Sequence, residues 1–136
     1  MSGGISLREK AVIDANINRV GEGLRVVEDW SRFCLRDTGL TEKLRNIRHG
    51  LWKLVEKQYP DIIKGRSSGE DILAGIREPE RARVEDIPRA SFNRAKEGLR
   101  VLEEMGKLIS SESSAEFKKM RFSLYEIERE FYERCP

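Results

Sequence analysis

Two stretches of this chain carry the same polar letters at the same spacing. Asn18, Arg19, Glu22, Arg25 and Glu28 recur as Asn93, Arg94, Glu97, Arg100 and Glu103, each 75 residues further on. On a helix turning about 100 degrees per residue, Asn18, Glu22, Arg25 and Asp29 share one narrow stripe. Asn93, Glu97, Arg100 and Glu104 form its counterpart. A solvated face would need only i,i+4 Glu–Arg pairs, each contributing roughly 0.2–0.5 kcal/mol, and it accepts Lys for Arg and Gln for Glu. Arginine in both copies points to work that a planar fork does and an ammonium does not: gripping an oxyanion through paired hydrogen bonds.

Gly23 and Gly98 recur with these residues. A mid-helix glycine costs about 1 kcal/mol relative to alanine. Its place in both copies implies close approach of another backbone, as where two helices cross, or of a ligand. Arg45, Arg48 and His49 cluster further on, and Arg121 matches Arg48. The stretch GRSSGED offers Arg66, two hydroxyls and the carboxylates Glu70 and Asp71. Such a loop can wrap phosphates with its N–H groups, although it has no G-x-x-x-x-G-K-[ST] pattern. Arginines at helical spacing, accompanying carboxylates and a Gly/Ser loop suit a polyanionic small molecule, with a divalent cation held by carboxylates.

These residues must be positioned by helices. Ile13, Ile17, Val20, Leu24, Val27 and Ser31 recur at steps of three and four, the spacing of one helix face. Ser6 with Glu9 predicts a capping box at its start, and Gly39 a stop. Leu40, Leu44, Ile47, Leu51, Leu54 and Val55 predict a second helix ended by Pro60. A third helix is expected from Asp86, with Pro88 in its first turn and Leu99, Leu102 and Leu108 among its apolar positions. Ser113 and Glu116 read as a capping box for a fourth, carrying Phe117, Met120, Leu124, Ile127 and Phe131.

The duplication extends beyond the polar letters. From Ala15 to Glu28, nine of fourteen positions match Ala90 to Glu103, and the following helices align at a shift of 73, placing Arg48 on Arg121 and Trp52 on Tyr125. The expected architecture is therefore all-α: one domain over residues 1–136, with a helical hairpin used twice (about 13–58 and 88–133). Two copies are too few for a solenoid, so a four-helix bundle is expected. A long Gly/Ser-containing loop, about 60–87, joins them, with a short helical turn at EDILAGI.

Composition narrows the class. The 136 residues are 38% hydrophobic and 37% charged, with a net charge of +2. Interleaved signs leave no basic stripe for nucleic acid, and no run of about 18 apolar residues exists to span a membrane. Cys34 and Cys135 lack metal-ligand spacing. No apolar leader opens the chain, so a cytoplasmic setting with free thiols is expected.

The stretches DANINRVGEGLRVVEDWSRF (Asp14 to Phe33), LRNIRHGL, GRSSGEDI and NRAKEGLRVLEEMGK resemble a small helical hydroxymethylpyrimidine phosphate kinase family of thiamin biosynthesis, often fused ahead of a thiamin phosphate synthase barrel. The resemblance covers about residues 12–130. The loop departs from that family's Arg-Asp-x-x-x-Asp-Val-Gly pattern: Ser67 replaces an aspartate and Leu73 a glycine. This leaves Arg66 and Asp71 as the loop residues that match.

The resemblance implies transfer of the ATP γ-phosphoryl group to hydroxymethylpyrimidine monophosphate, with Mg²⁺ as cofactor and the synthase domain as a partner. Arg25, Arg100 and Asp71 are then the candidate catalytic residues. Arg19, Arg48, Arg66, Arg94 and Arg121 would bind phosphate, with His49 beside them. Asn18 and Asn93 would read the pyrimidine edge or orient the arginines. Asp71 is the candidate metal ligand, with Glu22 and Glu97 behind it. The competing expectation is a non-catalytic helical module that dimerises, docks onto the synthase or senses a phosphate metabolite.

Overall fold

The computed structural model describes residues 4–136, apart from the Ser68 side chain. Among the described residues five α-helices occur, in the order α1 (Leu7–Asp29), α2 (Thr38–Val55), α3 (Tyr59–Ile62), α4 (Asp86–Gly106) and α5 (Ser111–Arg134). No strand occurs among the described residues, as the all-α reading requires.

Helix α1 begins with the expected capping box. The Ser6 hydroxyl accepts from the Glu9 N–H at 3.2 Å, and the Glu9 carboxylate accepts from the Ser6 N–H at 2.8 Å. The helix does not stop at Gly39. It runs on through a π-helical segment, Trp30–Leu35, and ends where Arg36 takes a left-handed conformation with φ 54°. Asp37 then caps α2, its carboxylate accepting from the Leu40 N–H at 2.9 Å. Gly39 thus sits in the first turn of α2. A short carboxylate that can satisfy a free N–H marks the boundary better than the glycine does.

Pro60 is displaced in the same way. Helix α2 closes at Val55, and Pro60 lies in the first turn of α3, where its missing N–H costs nothing. Pro88 occupies the corresponding place in α4, as expected. For α5 the cap is Ser110, which accepts from the Ser113 N–H at 3.0 Å, rather than the Ser113–Glu116 pair. Helix α4 stops at Gly106, so Leu108 falls in the connecting turn and is exposed. Between α3 and α4 lie two short 3₁₀ turns, Ile63–Gly65 and Ser68–Glu70, and then an exposed stretch without regular structure.

The four long helices close a ring. Helix α1 packs on α2 and α4, and α5 packs on α4 and α2. Val20, Leu24, Val27, Leu44, Phe92, Leu99, Leu124 and Phe131 fill the centre and are fully or nearly fully buried. The tightest seam is α1 against α4. A Cβ on Gly23 would lie 2.7 Å from the Ser91 carbonyl oxygen, and one on Gly98 would lie 2.7 Å from Val20 Cγ2 and 3.4 Å from the Asn16 carbonyl oxygen. Ser91 and Ala95 stand 75 residues after Asn16 and Val20, so each helix meets the other through matched positions. Of the two roles open to these glycines, the structure shows the helix crossing.

Candidate ligand-binding site

Helices α1, α2 and α3 leave an open cleft of about 680 Å³, within the usual size of a small-molecule site. Ile17 and Leu51, both buried, supply its apolar floor. Asn18, Glu22 and Arg25 line it from one turn after another of α1, with Gly21 between them. Arg48, His49 and Trp52 line it from α2, and Tyr59 from α3. Trp52 and Tyr59 meet edge to face, their ring centroids 5.1 Å apart. The cleft therefore sets an aromatic wall beside two guanidinium groups.

Buried charge holds this arrangement in place. Asp14 lies on the core side of α1, and its carboxylate accepts both arms of the Arg66 fork, at 2.8 and 2.7 Å. Arg66 also donates to the Tyr59 hydroxyl at 2.9 Å, and Asn18 donates to Asp14 Oδ1 at 3.1 Å. These bonds raise the Arg66 pKa well above its usual value, the Asp14 carboxylate being the main cause. The cluster is possible because Gly65 presses directly against the α1 backbone at Leu7 and Ala11, where no Cβ would fit. Asp14 thus fixes Asn18 and Arg66 fixes Tyr59, the Arg66 fork being already engaged.

A second buried carboxylate organises the arginines. Glu28 accepts from Arg48 Nε at 2.8 Å and Nη2 at 3.1 Å, and Arg25 approaches it at 3.5 Å. The Arg48 pKa is raised, chiefly by the hydrogen bond to Glu28. Glu103 does the same in the other half, with Arg121 Nη2 at 2.9 Å and Arg100 at 3.3 Å. Part of the recurring polar phrase is therefore structural. A buried carboxylate costs several kcal/mol unless it is paired and hydrogen-bonded, and each copy supplies two arginines to pair it. Arg25 differs from Arg48 in that its ion pairs, to Glu28 at 3.5 Å and Asp29 at 3.7 Å, are loose, and its side chain is half exposed.

The cleft thus gathers Asn18, Glu22, Arg25, Arg48 and His49 from the residues that the sequence singles out. Arg94 reaches only its rim, 3.8 Å from Glu22. Arg19 turns to Asn16, at 3.3 Å. Asn93, Glu97, Arg100 and Arg121 belong to the other half and do not line this cleft. Asp71 stands on the exposed loop, where its carboxylate accepts from the Leu73 N–H at 2.9 Å. Among the described residues, no group of three or more His, Cys, Asp or Glu side chains is placed to hold a metal ion. The carboxylates that the sequence offers for a divalent cation, Asp71 with Glu22 and Glu97, are not gathered into such a group.

Sequence reasoning passed over Asp14, Gly21 and Tyr59. Asp14 carries a usable signal, a carboxylate next to Ile13 and three residues before Ile17, beside the apolar face. Gly21 carries another: it is a mismatch inside the repeated phrase, with Lys96 at the matched place.

Comparison with known proteins places the chain. The model of the ThiD2 family matches residues 11–130, which hold every residue of the cleft. The chain belongs to the ThiD2 family. This ThiD2 domain is 40% identical over 124 residues to a thiamine-phosphate synthase of Synechococcus sp. (strain CC9605), covering 89% of the chain and 34% of that relative. A thiamine-phosphate synthase of Synechococcus sp. (strain CC9311) is 36% identical over 132 residues, 95% of the chain and 36% of the relative. One of Rhodopirellula baltica (strain DSM 10527 / NCIMB 13988 / SH1) is 37% identical over 123 residues, 88% of the chain and 33% of the relative. The ThiD2 chain spans about a third of the length of these relatives. No solved structure matches it. Among the described residues, no helix is long and apolar enough to cross a membrane.

Proposed function

We propose that this ThiD2 domain serves thiamin biosynthesis by transferring the γ-phosphoryl group of ATP to hydroxymethylpyrimidine monophosphate, giving the diphosphate. The observation that carries the reading is the composition of the cleft. The aromatic side chains of Trp52 and Tyr59, set edge to face, line it with His49 beside Arg25 and Arg48. That combination suits a heteroaromatic ring bearing a phosphate: the ring stacks, and the guanidinium forks pair with the oxyanion. The names of the relatives place them in the same biosynthesis, and the synthase is the natural partner of the product.

The chemistry asks little of side chains as acids or bases. An acceptor phosphate oxygen is nucleophilic without losing a proton. It attacks the γ-phosphorus, a new O–P bond forms, the bond to the β,γ-bridging oxygen breaks, and ADP departs. Two polyanions must be brought into line, so positioning and charge neutralisation dominate. Arg25 fits the second task, since its present ion pairs are loose and its fork can turn to a ligand. Arg48, locked by Glu28 through Nε and Nη2, offers a fixed positive wall. The co-substrate enters as the magnesium complex of ATP.

The scaffold reading loses one support. The crossing glycines Gly23 and Gly98 are consumed by the α1–α4 seam inside the chain, so they offer no seam to a partner helix.

The deciding experiment incubates the chain with Mg-ATP and hydroxymethylpyrimidine monophosphate and follows the diphosphate by phosphorus NMR. Diphosphate and ADP should appear in equal amounts. Arg25→Lys should cut turnover roughly tenfold to a hundredfold, the worth of a charge-assisted hydrogen bond of about 1.5–3 kcal/mol. Absence of diphosphate with the wild-type chain would overturn the reading.

A further inference from the structure

The two halves carry matched parts, yet their matched surfaces are furnished differently. Gly21 lines the cleft, and a Cβ placed on it would meet nothing within 4 Å. The matched position in the second half is Lys96. Its ammonium donates to Glu128 Oε1 at 2.7 Å, both side chains being less than one-fifth exposed. It also lies 5.5 Å from the ring centre of Tyr125, the counterpart of Trp52. Arg121 adds a second cation near that ring, at 5.8 Å, and donates to its hydroxyl at 3.2 Å. Phe122, which replaces His49, is likewise flanked by Arg121 and Lys118, at 5.0 and 5.6 Å.

We infer that the bundle has a single site for the pyrimidine phosphate, opened by Gly21 in the first half and closed by the Lys96–Glu128 pair in the second. The inference rests on the cleft being the pyrimidine phosphate site proposed above, and it assigns Gly21 the role of a specificity-determining residue. The physical reason is competition for one surface. An aromatic face attracts either a ring or a cation. In the second half the protein's own lysine and arginine already stand over the Tyr125 ring, and position 96 carries a long side chain where the first half has none. In the first half, among the described residues, no cation stands over Trp52; its ring is about as exposed as that of Tyr125, so the cations and not burial set the two halves apart. Glu128 stands where the first half has Val55, so the first half also lacks the carboxylate that would anchor a lysine there.

The test is calorimetric titration of the intact chain with hydroxymethylpyrimidine monophosphate as probe. The wild type should bind one equivalent. Gly21→Lys should weaken binding at least tenfold, and its melting temperature should not fall, because the new side chain replaces a helix-weakening glycine and enters open space. Gly21→Ala should lose less affinity than Gly21→Lys, and Lys96→Gly should leave the first site's affinity unchanged. Wild-type affinity in a folded Gly21→Lys variant would overturn the role of Gly21 while leaving the kinase reading standing. Two equivalents bound by the wild type would overturn the single site. No binding by the wild type would overturn both this inference and the proposed function.

Discussion

Two glycines separated by one residue should respond to alanine in opposite directions. Gly21 faces the open cleft, and Gly23 faces the α4 backbone. In both places a methyl group removes the helix penalty of glycine, a gain of about 0.5–1 kcal/mol. At Gly21 nothing opposes that gain. At Gly23 the new Cβ would sit 2.7 Å from the Ser91 carbonyl oxygen and 3.2 Å from the Ala95 nitrogen. Backbone atoms cannot rotate out of the way, so α1 and α4 must separate, and such overpacking costs about 1–3 kcal/mol. The two variants should therefore differ by about 1–3 kcal/mol. For a domain of this size that is roughly 4–12 °C in melting temperature, Gly21→Ala lying above the wild type and Gly23→Ala below it. Thermal and urea melts of the three proteins side by side make the measurement. A companion pair sharpens it. Gly98→Ala meets the Val20 methyl at 2.7 Å, so adding Val20→Ala should recover part of the loss. If Gly23→Ala melts at or above Gly21→Ala, the crossing seam described here is wrong.

Charge makes two further predictions. Arg48→Ala strands the buried Glu28 carboxylate, whose side chain is only 6% exposed. It should destabilise by about 3 kcal/mol; adding Glu28→Gln should recover part of that in urea titrations, whereas full stability of Arg48→Ala alone would refute the pairing. Acid should also weaken the fold. Asp37, Asp61 and Glu104 have folded pKa values below the usual carboxylate range, held there chiefly by the Leu40 N–H, Lys10 and Lys107 respectively. Their contribution is complete above the unfolded pKa of about 4 and is lost as pH falls through the lower folded values. The urea midpoint should therefore decline from pH 5 toward pH 2.5, and Asp37→Asn, which cannot titrate, should flatten the decline. A midpoint that holds steady or rises over that range would contradict the sign.

The helices were legible because their apolar periodicity is strong: Ile13, Ile17, Val20, Leu24 and Val27 all prove to be buried. Boundaries read from glycine and proline were less secure. Gly39 and Pro60 each open a helix, because Asp37 satisfies a free N–H and a proline in a first turn gives up no bond. The recurring polar phrase was legible as a signal, but its meaning is divided. Glu28 with Arg48, and Glu103 with Arg121, are buried pairs that tie helices together. Asn18, Glu22 and Arg25 line the cleft. Periodicity alone cannot separate these roles, since Arg25 and Glu28 sit within one turn and only the neighbouring helix decides which is covered. The roles of Tyr59 and Arg66 were harder still, because the bonds of Arg66 to Asp14 and to Tyr59 depend on the chain folding back across α1 at Gly65.

The central claim is that a phosphorylated pyrimidine occupies the first-half cleft. Proton–nitrogen NMR of the labelled chain, titrated with hydroxymethylpyrimidine monophosphate, tests it most directly, with the Trp52 indole N–H and the Gly21 amide as reporters. Both should shift in saturable fashion, with the same affinity as the Arg25 side-chain signal, while the Lys96 and Tyr125 amides stay in place. Shifts confined to the Tyr125 side of the bundle, or none at saturating ligand, would contradict the account.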